Sequence, residues 1–414
     1  MNLTPVVEGL SKTKTKRFKV KHPKRKLFRS NDPLLSVFMW GINHTVRELQ
    51  HIHVPVMLMP DDFRSFSKIK ITNHAYNKEN LPSNFKVKEY CPLVFRNLRD
   101  RFGIDDSDFL NSLIKAPRPI HPLRGGATYY LSSDRMYVIK TLTTEEVEEM
   151  HHLLKQYHPY IVDRHAKTLL PQYLAMYRLT VDSVETYIVV IRNVFSTQLK
   201  IHKKYDLKGS RVDREASDKE REKSLPTLKD NDFLADGLKI SIGEESKEAL
   251  IETLTADVEF LARLNIMDYA LLLGIHDMDQ ALEDAEEDAE DEEDDEEYDS
   301  AGSGGMALTP PDSPNSKRKI SSLSTSRIDP SKDIYAFPSQ GASQPQTENR
   351  NEITGSKMIY FLSIVDVLTH YGIKKAAAKA AKTMKYGSDV DGISTAEPGE
   401  YSKRFLAFIN EAIE

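Results

Sequence analysis

The feature that most constrains this fold is an interruption. From residue 283 to 299 the chain reads EDAEEDAEDEEDDEEYD, fourteen acids with no base. Ser-, Pro- and Gln-rich text follows as far as residue 352, including TPPDSPNSKRK. Such composition buries too little apolar surface to offset the entropy of ordering, so 277–352 is expected to be a disordered insert. Globular text resumes at 353 and runs only to Glu414. A piece that short is expected to complete the domain begun at residue 31. The fold must then bring together strands from either side of a long loop excursion.

Charge is segregated along the chain. The net charge is −6, but residues 12–29, KTKTKRFKVKHPKRKLFR, hold ten Lys or Arg and no acid. Residues 1–30 therefore read as a basic arm. With the acidic run set aside the remainder is net basic, which implies an anionic partner. Phe18, Val20, Leu27 and Phe28 interleave the arm's charges. That mixture suits an anionic membrane surface or nucleic acid, and a lipid substrate would decide for the membrane. Cys91 is the only cysteine, which excludes an intrachain disulfide and a cysteine zinc cluster. There is no secretory h-region and no apolar run of membrane-spanning length. The expected location is the cytoplasm, peripheral at the cytosolic face of membranes, with HPKRK allowing a nuclear pool.

Several elements carry candidate chemistry. TYYL and MYVIKTL flank SSD and read as a hairpin. Gly125 and Gly126 precede it, as in a loop whose backbone N–H groups cover phosphate. Alternation puts Met136, Val138 and Lys140 on one face, and YVIK is reminiscent of a kinase strand lysine. Taken alone, this piece is more often an ordinary turn and a solvated lysine. Next comes a helix over TTEEVEEMHHLLKQY, with Thr143 and Glu146 as a capping box. VETYIVVIRNVF reads as a buried strand, and SKEALIETLTADVEFLARLN as an amphipathic helix. Asp268 stands directly before the apolar run ALLL, and Asp366 ends the apolar strand KMIYFLSIV. A carboxylate at the mouth of a buried strand needs a partner. Phosphoryl transfer needs one carboxylate near the attacking hydroxyl and another to hold Mg²⁺. Asp206 and Lys208, in YDLKGS, alternate and would face the same way.

The order of hairpin, lysine, acidic helix, strand and two aspartates is that of a protein-kinase-like fold, without H-R-D or D-F-G text. At YDLKGS, IMDYALLLGIHD and YSKRF the chain resembles the phosphatidylinositol phosphate kinases. The fragments LLPQYLAMYRLTVDSVETY, REASDKE, LPTLKDNDFL and TPPDSP resemble the type II branch, the 5-phosphate 4-kinases. The resemblance covers 31–276 and 353–414. It implies an α+β, two-lobed kinase-like fold over 31–414, with a smaller antiparallel-sheet lobe carrying one helix. It implies transfer of the γ-phosphate of ATP, or GTP, to the 4-hydroxyl of phosphatidylinositol 5-phosphate. A 4-phosphate 5-kinase, a soluble inositol phosphate kinase and a phosphoinositide-binding scaffold of low turnover remain alternatives.

Roles follow from the resemblance. Lys140 would contact nucleotide phosphates and pair with a helix acid, for which Glu149 is the choice. Asp268 would orient the inositol hydroxyl, Asp366 would hold Mg²⁺ with Asp268 beside it, and Lys208 would serve the phosphate site. Val138, Leu272 and Val365 would sandwich the base, with Asn193 and Phe195 at its edge. Residues 366–404 would carry the Mg²⁺ aspartate and the activation loop, whose Lys374, Lys375, Lys379, Lys382 and Lys385 would select the headgroup. Ala378 stands where the 5-kinase branch carries glutamate. Ile191 stands where the type II branch commonly has threonine before RNVF, which implies a bias toward ATP. The family also implies a homodimer, for which DPLLSVFMWGINHTVREL is apolar enough to supply the contact, or else is core.

Overall fold

The computed structural model describes residues 30–72, 84–120, 126–284, 328–339, 357–370 and 397–414, with residues 28, 81, 82 and 286. Most of the basic arm, Gly125, and the stretch holding Lys374, Lys375, Ala378, Lys379, Lys382 and Lys385 lie outside the described residues.

The first lobe is a seven-stranded antiparallel sheet in the order β1-β2-β6-β7-β5-β4-β3. Its strands are β1 (Phe66–Thr72), β2 (Asn84–Tyr90), β3 (Arg118–Ile120), β4 (Tyr129–Leu131), β5 (Tyr137–Leu142), β6 (Tyr173–Val181) and β7 (Val184–Arg192). The β4–β5 pair is the hairpin expected around SSD, with Tyr129 opposite Lys140. Four helices serve this lobe instead of one: α1 (Pro33–Gln50), α2 (Pro92–Arg101), α3 (Asp106–Leu113) and α4 (Thr144–Asp163). Asp32 caps α1 by accepting from Leu34 N at 2.8 Å, and Pro33 occupies the first turn. The apolar face of α1 is core: Val37, Phe38, Ile42 and Val46 are buried, and Trp40 meets Phe85 edge-on at 5.2 Å. It offers no exposed stripe for a dimer contact.

The second lobe holds a five-stranded sheet, β11-β12-β10-β8-β9. These strands are β8 (Lys203–Leu207), β9 (Thr227–Leu228), β10 (Ala270–Asp277), β11 (Ala336–Pro338) and β12 (Met358–Val365). Among the described strand pairs only β8–β9 is parallel. The helices are α5 (Asp218–Arg221), α6 (Asp230–Ala235), α7 (Glu244–Arg263) and α8 (Pro398–Ala412). β10 and β12 lie on opposite sides of the acidic run in sequence, yet they pair along their whole length. Order extends into both margins of the stretch 277–352. Residues 278–284 are helical, β11 pairs with β12, and Tyr335 is buried. A polar average over 277–352 conceals the short apolar run IYAF, in which Tyr335 is buried and Ala336 and Phe337 half-buried on β11.

One buried group of the first lobe predicts a pH response. Glu89, on β2, is 1% exposed. Tyr177 donates to its Oε1 at 3.1 Å, while Oε2 has no hydrogen-bond partner among the described residues. Burial pushes its pKa up from 4.5 to about 7, against the pull of Arg99. The folded state thus holds this proton more tightly than the unfolded chain. Stability falls as pH rises from 4.5 through about 7, by roughly 3 kcal/mol. Glu89→Gln keeps an acceptor for Tyr177 and removes that decline. Its melting temperature, relative to wild type, rises by several degrees between pH 5 and pH 8. An equal difference at both pH values would show that Glu89 does not titrate there.

Candidate active site

A cavity of about 460 Å³ lies between the two sheets. Val138 and Ile191 form its first-lobe wall, and Leu272 and Val365 its second-lobe wall. Asn193 and Phe195 line it on the crossover between the lobes, and Lys140 and Asp366 line it as well. The six residues expected around a base and its phosphates, from Val138 to Val365, therefore share one cavity. Gly126 (φ +84°) is not among the lining residues.

The crossover is held through the backbone and side chain of Asn193. Asn193 N donates to Met136 O at 2.9 Å and Asn193 Nδ2 to Arg135 O at 2.9 Å. This ties the segment to the β4–β5 turn.

Lys140 Nζ lies 3.1 Å from Glu146 Oε1 and 4.0 Å from Asp366 Oδ1. Burial works against its charge, but Tyr129, Asp366 and Glu146 outweigh it and hold its pKa above the ordinary lysine value. The partner is thus Glu146 and not Glu149. Glu146 accepts from Thr143 N through Oε2 at 2.9 Å, which aims Oε1 back at β5. Glu149, one turn on, lines a separate cavity of about 350 Å³ with His152 and His370.

Asp268 and Asp366 both have left-handed backbone, with φ +65° and +61°. Asp tolerates that region, and such geometry aims a side chain sharply out of a strand. Asp268 Oδ1 receives Lys208 Nζ at 2.8 Å, and the same ammonium donates to Asp268 O at 2.7 Å. The partner required by the Asp268 charge is therefore Lys208. Asp366 opens to the cleft, with 54% of its side chain accessible. The protein mass around the cleft still raises its pKa, with Lys140 and Lys208 pulling down and Asp206 and Asp268 pushing up.

The YDLKGS loop is built by a residue the sequence did not flag. Asp230, fully buried, accepts N–H from Lys208 at 2.9 Å, Gly209 at 2.7 Å and Ser210 at 3.3 Å. It also receives Arg214 Nε at 2.6 Å, and Arg214 bonds Asp206 as well. Gly209 has φ +65°, and a Cβ there would lie 3.0 Å from Arg404 O. α8 therefore packs directly on this loop. Tyr401 OH donates to Tyr269 O, and the two rings meet edge-on at 4.8 Å. YDLKGS, IMDY and YSKRF are thus mutual contacts around one corner of the cleft. The missed signal was Asp230 itself, at the start of a helix in LKDNDF, where an acid reads as a simple helix-terminus residue.

Among the described residues no group of three acids, histidines or cysteines converges to hold a metal alone. Mg²⁺ takes one or two carboxylates and completes its shell with nucleotide phosphates and water. Asp366, accessible and all-oxygen, fits such a site. Asp268 already carries a lysine.

A cation at the end of an apolar slot, with carboxylates beyond it, can position a nucleotide phosphate against a hydroxyl. The class of protein so defined is a kinase. Comparison narrows it: residues 120–412 match the family model of phosphatidylinositol-4-phosphate 5-kinase, and the chain belongs to that family. It is 54% identical over 407 residues to phosphatidylinositol 5-phosphate 4-kinase type-2 alpha of Mus musculus, covering 97% of each chain. The Homo sapiens type-2 alpha kinase is 54% identical over 406 residues, again 97% of each. The Homo sapiens type-2 beta kinase is 54% identical over 398 residues, 94% of this chain and 92% of the relative.

Proposed function

We propose that this chain is a phosphatidylinositol 5-phosphate 4-kinase, using ATP to make phosphatidylinositol 4,5-bisphosphate. The observation that carries the reading is Asp366 at the cavity wall, 4.0 Å from Lys140 of the Lys140–Glu146 pair and within electrostatic reach of the Lys208–Asp268 pair. The base lies between Val138 and Leu272, with Phe195 at its edge. Ile191 offers that edge no hydroxyl, which favours ATP over GTP. Lys140 neutralises the nucleotide phosphates, and Glu146 fixes its direction. Mg²⁺, held at Asp366, would offset phosphate charge in the transition state. The inositol 4-hydroxyl faces Asp268, whose carboxylate orients it and takes its proton. The inositol oxygen bonds to the γ-phosphorus, the bond to the β,γ-bridging oxygen breaks, and ADP leaves. Lys208 keeps the Asp268 carboxylate in place.

Membrane contact is supported by one face of the first sheet. Lys68 stands opposite Lys88, Lys70 opposite Lys86, and Lys88 opposite Arg178. Like charges directly opposite are destabilising, and an anionic surface relieves them. Burial and the like charges of Arg178 and Lys68 lower the Lys88 pKa. A homodimer is supported by β1, an edge strand of that sheet, with exposed Phe66, and by the exposed apolar residues Val54, Val56, Met57 and Met59 that precede it in sequence. The working location is the cytosolic face of membranes.

One vesicle experiment reads these together. Wild type with radiolabelled ATP and Mg²⁺ labels vesicles holding phosphatidylinositol 5-phosphate and sediments as a dimer. Label only in phosphatidylinositol 4-phosphate would make it a 5-kinase. Vesicle binding without label would make it a scaffold. A monomer at micromolar concentration, or activity indifferent to vesicle charge, would remove the dimer or the membrane face.

A further inference from the structure

One residue of the cavity wall is held from behind by chain that follows the acidic run, and a second shares an apolar cluster with that chain. Arg192, the last residue of β7, lines the cavity and is 5% exposed. Its Nη2 donates to Ser331 O at 2.6 Å and to Lys332 O at 3.2 Å. Phe195 packs with Ile328, Leu199 and Phe361 in one apolar cluster. The same segment reaches both lobes. Tyr335 OH donates to Leu170 O at 3.2 Å, on the first-lobe side of the cleft. Tyr335 O accepts from Leu362 N at 3.0 Å, on β12, the strand that ends at Asp366.

The turn that presents these carbonyls is closed upon itself. Asp329 accepts from Ser331 N at 3.0 Å, Ser331 Oγ at 2.6 Å and Lys332 Nζ at 3.2 Å. Asp333 Oδ2 accepts from Asp329 N at 2.9 Å. A packing role at position 192 would be met by an apolar side chain without desolvating a cation. A buried guanidinium bound to two backbone carbonyls instead ties the wall to the position of the turn.

We infer that the turn 328–335 is a positioning element for the nucleotide, acting through Arg192 and Phe195 on the crossover between the lobes. Residues 287–327 lead directly into it. A modification or partner that displaces the turn therefore changes nucleotide affinity without touching the cleft, which gives the excursion a regulatory route into the site.

The test uses Asp329→Ala, which opens the turn, and Tyr335→Phe, which keeps the ring and removes the hydroxyl that donates to Leu170. Both are read in the full chain. The measurements are the ATP KM, the lipid KM, kcat, and titration with a fluorescent ATP analogue. The expected result is a rise of about three- to tenfold in ATP KM and in analogue Kd, with kcat and lipid KM within about twofold of wild type. In an Arg192→Met background, Asp329→Ala adds little, because its route is already cut. Unchanged analogue affinity in both variants, or fully additive effects with Arg192→Met, would overturn the inference alone. Wild type that fails to bind the analogue would overturn the nucleotide reading of the cavity as well.

Discussion

Asp268→Asn lowers kcat by about three orders of magnitude and leaves the melting temperature within about 2 °C of wild type. The two halves of that result have separate causes. The backbone at Asp268 has φ +65°, and Asn accepts the left-handed region as readily as Asp. Lys208 Nζ also bonds the Asp268 carbonyl at 2.7 Å, a contact the variant keeps, and the new amide oxygen still accepts from the same ammonium. The fold therefore loses little. What is lost is a carboxylate able to take the hydroxyl proton. A fall of many degrees with an equal loss of activity would identify the pair with Lys208 as structural. Thermal melts beside steady-state rates on lipid vesicles decide between them.

Gly274→Ala raises the ATP KM by about tenfold and costs about 1–3 kcal/mol of stability. Gly274 needs no unusual φ, so its reason is space. A Cβ there would lie 2.4 Å from Phe195 Cε1 and 2.8 Å from Cδ1. Phe195 cannot retreat freely, since its ring packs against a cluster of Leu199, Ile359 and Phe361. It must instead move toward the cavity it lines, into space the base would occupy. Relief by a smaller ring neighbour separates this from general destabilisation. Gly274→Ala combined with Phe195→Leu regains stability while nucleotide affinity stays low. Full nucleotide affinity in the single variant would place the base elsewhere.

Where a feature depends on local pattern, the sequence was legible. The β4–β5 hairpin, the Thr143 cap of α4 and the two strands β10 and β12 ending at aspartates all follow from alternation, capping chemistry and apolar runs. The base-site residues carried over by resemblance line one cavity. What depends on three-dimensional choice was not legible. Glu146 and Glu149 are three apart and share a helix face, so periodicity cannot choose between them. The choice is made by Glu146 serving cap and lysine at once. Asp230 looks like a helix-terminus acid until four donors are seen on its carboxylate. Gly274 could have been found, because glycine inside an apolar strand signals a close approach. The apolar face of α1 suited core or interface equally, and only its burial against β2 and β6 resolves it.

The two margins of the acidic excursion have a last consequence. Met278, just before it, and Ile328, just after it, pack on the same small cluster. Chain that leaves and returns at nearly one point meets a closure entropy that grows only with the logarithm of its length. Doubling the excursion costs about 0.6 kcal/mol. By that arithmetic alone, the pairing of β10 with β12 depends only weakly on how many residues separate Asp284, which is bonded to Lys200 and His202, from Ile328.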